Sequence, residues 1–167
     1  GITPAQAAVN WMRTHIVNKD LISFDYDGTP ADLSQWSESI SGNATTATAD
    51  WTQIRTYTKD SVSLVLTYSF YHEHAALEWR ADWSYSGSAY SKRISNIRIL
   101  NAGFDINRAV MTTANQGGQN YVYDYQPYSV DLTTTPSYTM QNSGGRSSQG
   151  AWPYFDLTSA HDTYGIM

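Results

Sequence analysis

The chain has 167 residues, no cysteine, 15 acidic residues against 10 basic ones, and a net charge of −5 at neutral pH. One domain, 1–167, is the natural count at this length, and one core can be buried. The absence of cysteine excludes a disulfide framework and thiol catalysis, and a negative charge with no basic cluster argues against nucleic acid and anionic membranes as partners.

No apolar run reaches the length of a membrane-spanning helix. The 13 tyrosines and six tryptophans, with abundant Thr and Ser, are the composition of a β protein.

The first predicted element is nevertheless a helix, 3–18. Thr3-Pro4-Ala5-Gln6 reads as a capping box with proline at the first helical position. Ala8, Trp11, Met12, His15 and Ile16 then recur at helical spacing, and Asn18-Lys19-Asp20 ends the run.

Beyond it the period changes to two. Val62, Leu64, Leu66, Tyr68 and Phe70 fall on one face of a strand over 61–71. Ala75, Leu77, Trp79, Ala81, Trp83 and Tyr85 fall on one face of a strand over 75–85, opposite Glu78, Arg80, Asp82 and Ser84. His72-Glu73-His74 reads as the turn between them. Further strands are expected over 21–27, 51–58, 92–101, 121–125, 128–132, 137–141 and 152–157, with a polar loop over 115–120. Short strands joined by Gly, Ser, Asn and Pro turns predict a mainly β chain, a large antiparallel β-sandwich spanning 21–167 behind the short helix.

Several residues bear chemistry without selecting one reaction. His72 and His74 share a face if extended, and Glu78 is close in sequence, but no second cluster completes a metal set. No metal and no cofactor are expected. Asp25, Asp27, Glu78, Asp82, Asp156 and Asp162 are candidates for the paired carboxylates of glycoside cleavage, and the sequence singles out no pair. Ser147 and Ser148 lack the context of a nucleophile elbow, and Gly144-Gly145-Arg146 lacks phosphate-loop spacing. Aromatic rings stack on the apolar faces of sugars. Trp36, Trp51 and Trp152 are candidates for that role, whereas Trp79 and Trp83 lie on an apolar strand face and read as core.

Taken together, several stretches resemble one family. Ile22-Ser23-Phe24-Asp25-Tyr26-Asp27-Gly28-Thr29-Pro30, with Trp36 after it, is similar to the "FSFTYDGKP…W" stretch near the start of family 36-type α-galactosidases and related glycoside hydrolases. Tyr71-His72-Glu73-His74-Ala75-Ala76-Leu77-Glu78-Trp79 resembles their "Y-x-D-x-P-A-x-E-W" segment, and Ser91–Ile97 resembles the strand that follows. Gly145-Arg146-Ser147-Ser148 and then Pro153-Tyr154-Phe155-Asp156-Leu157 are similar to "GRSS…P-F-F-D-L". The resemblance spans about 21–167, in the family's order. It departs at Ala75, where the family has proline, and over 112–120, which has no counterpart.

The resemblance implies a β-sandwich that precedes a catalytic (β/α) barrel and a C-terminal β domain. The family's two catalytic aspartates, nucleophile and general acid/base of a retaining reaction, lie on that barrel, so no catalytic residue is assigned here. Both ends of this chain, Gly1-Ile2-Thr3 and Gly165-Ile166-Met167, are expected to be cuts from a longer polypeptide. The expected function is a non-catalytic N-terminal domain that packs on the barrel of the same polypeptide. It would shape the substrate rim through Arg146, Ser147, Ser148 and Trp152, and homo-oligomerisation is compatible with it. Arg146 paired with an internal acid, the serines capping turns, is the structural alternative. A free-standing carbohydrate-binding module, with exposed aromatic rings, is the alternative function. A structural or adhesive domain is a third. The sugar stays open, as does the compartment, bacterial cytoplasm or secreted.

Overall fold

A computed structural model describes residues 21–42, 51–71, 76–103, 109–115, 126–140, 154–159 and 163–166. The chain divides into two compact units, Gly1–Asp105 and Ile106–Met167. Among the described residues the protein is mainly β, every strand pair is antiparallel, and the single helical piece is a 3-10 turn at Leu33–Gln35. The expected antiparallel, sandwich-like β fold is therefore present. The predicted helix 3–18 and the predicted strand 121–125 lie outside the described residues.

Unit 1 contains two sheets. In one, β1 (Ser23–Tyr26) is central, between β2 (Thr29–Pro30) and β7 (Ile94–Arg98). The other runs β3 (Ser37–Gly42), β4 (Trp51–Lys59), β5 (Val62–Phe70) and β6 (Leu77–Tyr85), in that spatial order. The alternation read from the sequence is realised in β5. Val62, Leu64, Leu66, Tyr68 and Phe70 are all buried, and the residues between them are half-buried. Each large apolar side chain removed from water contributes about 1.5–3 kcal/mol, so this stripe carries much of the unit's stability. It packs in one cluster with Tyr57 of β4 and with Ile22, Phe24 and Tyr26 from the facing sheet. That shared core joins the two layers into a sandwich.

Two hairpins set the registers. Asp27 (φ 54°) and Gly28 (φ 85°) form the turn between β1 and β2, and Asp60 (φ 50°) and Ser61 (φ 64°) the turn between β4 and β5. Two consecutive left-handed residues match the right-handed twist of the flanking strands, and Asp-Gly is favoured there. Asn96 (φ 50°) sits where the β1–β7 register shifts, as a bulge residue that tolerates the left-handed region.

Unit 2 contains one described sheet, in the order β11 (Thr163–Ile166), β10 (Phe155–Thr158), β8 (Val110–Asn115) and β9 (Gln126–Asp131). Leu157, Met111 and Val130 stand opposite one another across β10, β8 and β9 and are buried. They form the apolar row of this sheet.

Two expectations need correction, and one strand was not expected. The predicted strand 137–141 is not one over its described residues, 137–140. β9 ends at Asp131, whose carboxylate accepts from Thr133 N (2.9 Å) and whose carbonyl accepts from Thr135 N (2.9 Å). Pro136 then follows without a donor, and the Tyr138 ring lies against Tyr128, 5.6 Å between centroids. The stretch from Thr112 to Asn115, which has no counterpart in the resembling family and whose last residue was read as the start of a polar loop, belongs to β8. Its two threonines are β-branched and pair fully with β9, a preference masked by the Gln/Gly/Asn run that follows. β3 had no apolar alternation to reveal it. All six of its residues are exposed, yet it pairs with β4 from Ser37↔Thr58 to Gly42↔Gln53.

Candidate functional site

The rim residues read from the sequence, Arg146, Ser147, Ser148 and Trp152, lie outside the described residues, as do His72 and His74. Among the described residues no three His, Asp or Glu side chains gather as a metal site. The described residues of the motif stretches do other work.

Most of that work is internal. Phe24 meets Trp36 edge-on at 5.7 Å and Trp83 edge-on at 4.6 Å, and Tyr26 meets Trp36 at 5.0 Å. Such geometry places the positive ring edge on the negative face and adds to area burial. Trp36 is only 6% exposed, so its sequence reading as a sugar platform is corrected: the ring is core. Trp79 is half-buried and donates Nε1–H to the Ile99 carbonyl at 2.8 Å, a bond from the four-stranded sheet to the chain just after β7.

The DYDG turn is tied down as well. Tyr26 OH donates to Asp60 Oδ2 at 2.9 Å, Lys92 Nζ lies 3.1 Å from the same oxygen, and Asp27 N donates to the Arg93 carbonyl at 2.9 Å. Lys59 and Lys92 stand 5.8 and 5.7 Å from the Tyr26 ring centroid. Burial, followed by the bond to Asp60, raises the Tyr26 phenol to about 12. The hydrogen bond from Lys92, then that from Tyr26, holds Asp60 below the ordinary carboxylate value.

Three of the candidate carboxylates have separate partners, and Asp162 lies outside the described residues. Asn96 Nδ2 donates to Asp25 at 2.6 Å, Tyr71 OH donates to Glu78 at 2.6 Å, and Arg80 Nε pairs with Asp82 at 2.7 Å. Asp32 is lowered chiefly by the Ser34 hydroxyl and Asp131 chiefly by the Thr133 hydroxyl, as turn and cap residues are. A general acid needs the opposite shift, upward toward neutrality, so Asp32, Asp60 and Asp131 are unsuited to that role.

One arrangement was not legible beforehand. On β10, Asp156 stands opposite Thr112 of β8, and Thr112 stands opposite Ser129 of β9. Directly opposed residues share a sheet face, and the Thr112 and Ser129 hydroxyls are indeed 3.1 Å apart. Asp156 Oδ1 is buried, and among the described residues no hydrogen-bond donor reaches it. The sequence signal was only the alternation Phe155-Asp156-Leu157, which separates Asp156 from the apolar face; its neighbours depend on strand order and register.

Comparison of the chain with protein-family models, with curated proteins and with solved structures returned no match.

Proposed function

We propose that this chain is the non-catalytic N-terminal β-sandwich of an α-galactosidase-like glycoside hydrolase, packing on the catalytic barrel of the same polypeptide and shaping the rim of its substrate site. The observation that carries the reading is the use made of the resembling stretches. Phe24, Tyr26, Trp36 and Trp79, drawn from two of them, form or flank one core in unit 1, and Ile94 from a third packs against it. Residues kept for packing, with Asp25, Glu78 and Asp82 held by separate local partners, suit a supporting domain better than a reaction centre. A free-standing carbohydrate-binding module would need an exposed aromatic platform, and Trp36 is withdrawn from that role by its burial.

The test is to follow the reading frame beyond Met167, express the whole frame and assay it beside residues 1–167. The longer protein is expected to encode a (β/α) barrel and to hydrolyse an aryl α-galactoside with retention, while 1–167 alone turns over nothing. A frame that closes without a barrel overturns the proposal. So does turnover by 1–167 that disappears when one of its own carboxylates is replaced. For the rim, Arg146→Ala in the full-length protein is expected to raise KM with the fold intact. An unfolded variant would instead assign Arg146 to the interior.

A further inference from the structure

Between β6 and β7 the chain leaves regular structure over 86–93, and every residue there is exposed. Both ends of this segment are fixed. At the first, Ser86 N donates to the Ser61 carbonyl at 3.0 Å, and the Tyr85 hydroxyl lies against Gly87 with no room for a Cβ between them. At the second, Lys92 Nζ lies 3.1 Å from Asp60 Oδ2, and Asp27 N donates to the Arg93 carbonyl at 2.9 Å. From Ser88 to Ser91 no hydrogen bond to the described residues holds the chain. Tyr90 stands within that free span, its side chain wholly in water at 102% exposure. Large aromatic side chains are ordinarily part-buried, so a ring left bare is informative. Its neighbours Ser88, Ala89 and Ser91 are small, and no residue of 86–93 holds a left-handed φ. Exposed loop spans of small and polar residues are where proteases nick folded chains.

We propose that the Tyr90–Ser91 bond is a processing site for a serine protease whose specificity pocket takes a large aromatic side chain, the chymotrypsin type. Such an enzyme holds its substrate as an added extended strand through main-chain hydrogen bonds and draws one side chain into the pocket. Ser88 to Ser91 offers backbone donors and acceptors that the described fold does not use, and Tyr90 fills the pocket. In the cut, the C–N bond between Tyr90 and Ser91 breaks. Water adds its hydroxyl to the Tyr90 carbonyl carbon and its remaining proton to the Ser91 nitrogen. The fixed second end selects this bond over the basic pair that follows it. A trypsin-type enzyme would have to draw Lys92 away from Asp60, or take the Arg93 carbonyl from Asp27 N before its own oxyanion donors could reach it. The free interior also makes the segment a substrate and not an inhibitor, since a loop that binds without being cut needs its interior held in the bound shape. The cut chain stays folded: β6 remains paired with β5, β7 with β1, and Trp79 still donates to the Ile99 carbonyl across the break. The glycosidase reading has no part in this inference and stands or falls separately.

The experiment treats the complete 167-residue chain with a low ratio of chymotrypsin or, at matched activity, trypsin, and reads the new amino termini by sequencing. Chymotrypsin is expected to give a terminus at Ser91, with the piece ending at Tyr90 and the piece beginning at Ser91 eluting together at the volume of the intact chain and keeping its circular dichroism. Trypsin termini at Arg93 or Ile94 should form at least about tenfold more slowly, because one polar contact must break first. Tyr90→Ser, at a side chain wholly in water, should fold as the wild type does and lose the Ser91 terminus. Five results overturn the proposal: a Ser91 terminus that forms only after unfolding in urea, pieces that separate or lose their structure once this bond is cut, trypsin termini at Arg93 or Ile94 that outpace it, a Ser91 terminus undiminished in Tyr90→Ser, or inhibition of chymotrypsin by a chain that stays intact.

Discussion

Asp60 connects the β4–β5 turn to the facing sheet through Tyr26 and Lys92, and both partnerships are titratable. Tyr26 is raised in the folded state, so it stabilises the fold fully below the ordinary tyrosine value of 10.0. That contribution is lost as pH climbs through about 12. Asp60 is lowered, so its share is present above the ordinary value of 3.8 and is lost as pH falls below it. Thermal melts across pH should therefore decline at both ends for this cluster. Tyr26→Phe is expected to cost about 1 kcal/mol at neutral pH, one hydrogen bond, and to shrink the alkaline decline. The part that remains belongs in the same window to Tyr71, whose phenol is raised chiefly by its bond to Glu78. An alkaline limb identical in the wild type and in Tyr26→Phe would show that the Asp60 bond does not hold the phenol.

At the scale of elements, turns and edges set the limits of each strand. Ser61 holds φ 64° with a side chain, a conformation that costs an L-residue about 1 kcal/mol and glycine almost nothing. After the extra chain entropy of glycine is subtracted, Ser61→Gly should stabilise the β4–β5 hairpin by about 0.5 kcal/mol. That corresponds to a rise of roughly 1–2 °C in Tm for a chain of this size. Gly42 predicts the opposite sign. A Cβ there would stand 2.6 Å from the Thr52 carbonyl oxygen and 2.9 Å from Gln53 Cα, both backbone atoms of the neighbouring strand. Gly42→Ala must push the end of β3 off β4, at a cost of about 1–3 kcal/mol, and should speed amide exchange at the Gly42–Gln53 end while the Ser37–Thr58 end stays protected. Unchanged exchange along β3 would contradict the close approach. The same elements show what the sequence could reveal. β5 and β6 were readable because one face is apolar at every second residue. The all-exposed β3 was not, since pairing alone defines it, and neither was the threonine-rich β8, whose buried face sets Met111 beside Thr113 and so shows no apolar alternation. The packing of Trp79 and Trp83 was legible from their strand face, whereas the burial of Trp36 depends on Phe24 and Tyr26 arriving from another strand. The Asp156 row is subtler still, because it exists only once β8, β9 and β10 are placed in register.

For the molecule as a whole, charge and open strand edges bear on one behaviour, self-association. The sequence has an isoelectric point near 5.1, so the net charge of −5 at neutral pH fades as the solution approaches that value. Charge of one sign keeps copies apart, and its loss lets short-range contacts decide. Suitable contacts are present in unit 1. β3 and β6 each leave one side unpaired among the described strands, and Ile40, Ile97 and Ile99 are each more than half exposed. Unpaired strand edges and exposed branched side chains are what joins copies once repulsion falls. Light scattering against pH should show association rising steeply toward about pH 5 and reversing above about pH 7. Ile40→Lys acts on both causes, since it places a positive charge on the β3 edge and shifts the isoelectric point upward. It should move the scattering maximum to slightly higher pH and lower its height, as edge lysines blunt strand pairing. If Ile40→Lys shifts the maximum without lowering it, association depends on charge alone and the β3 edge takes no part. If neither position nor height changes, the contacts lie elsewhere on the surface.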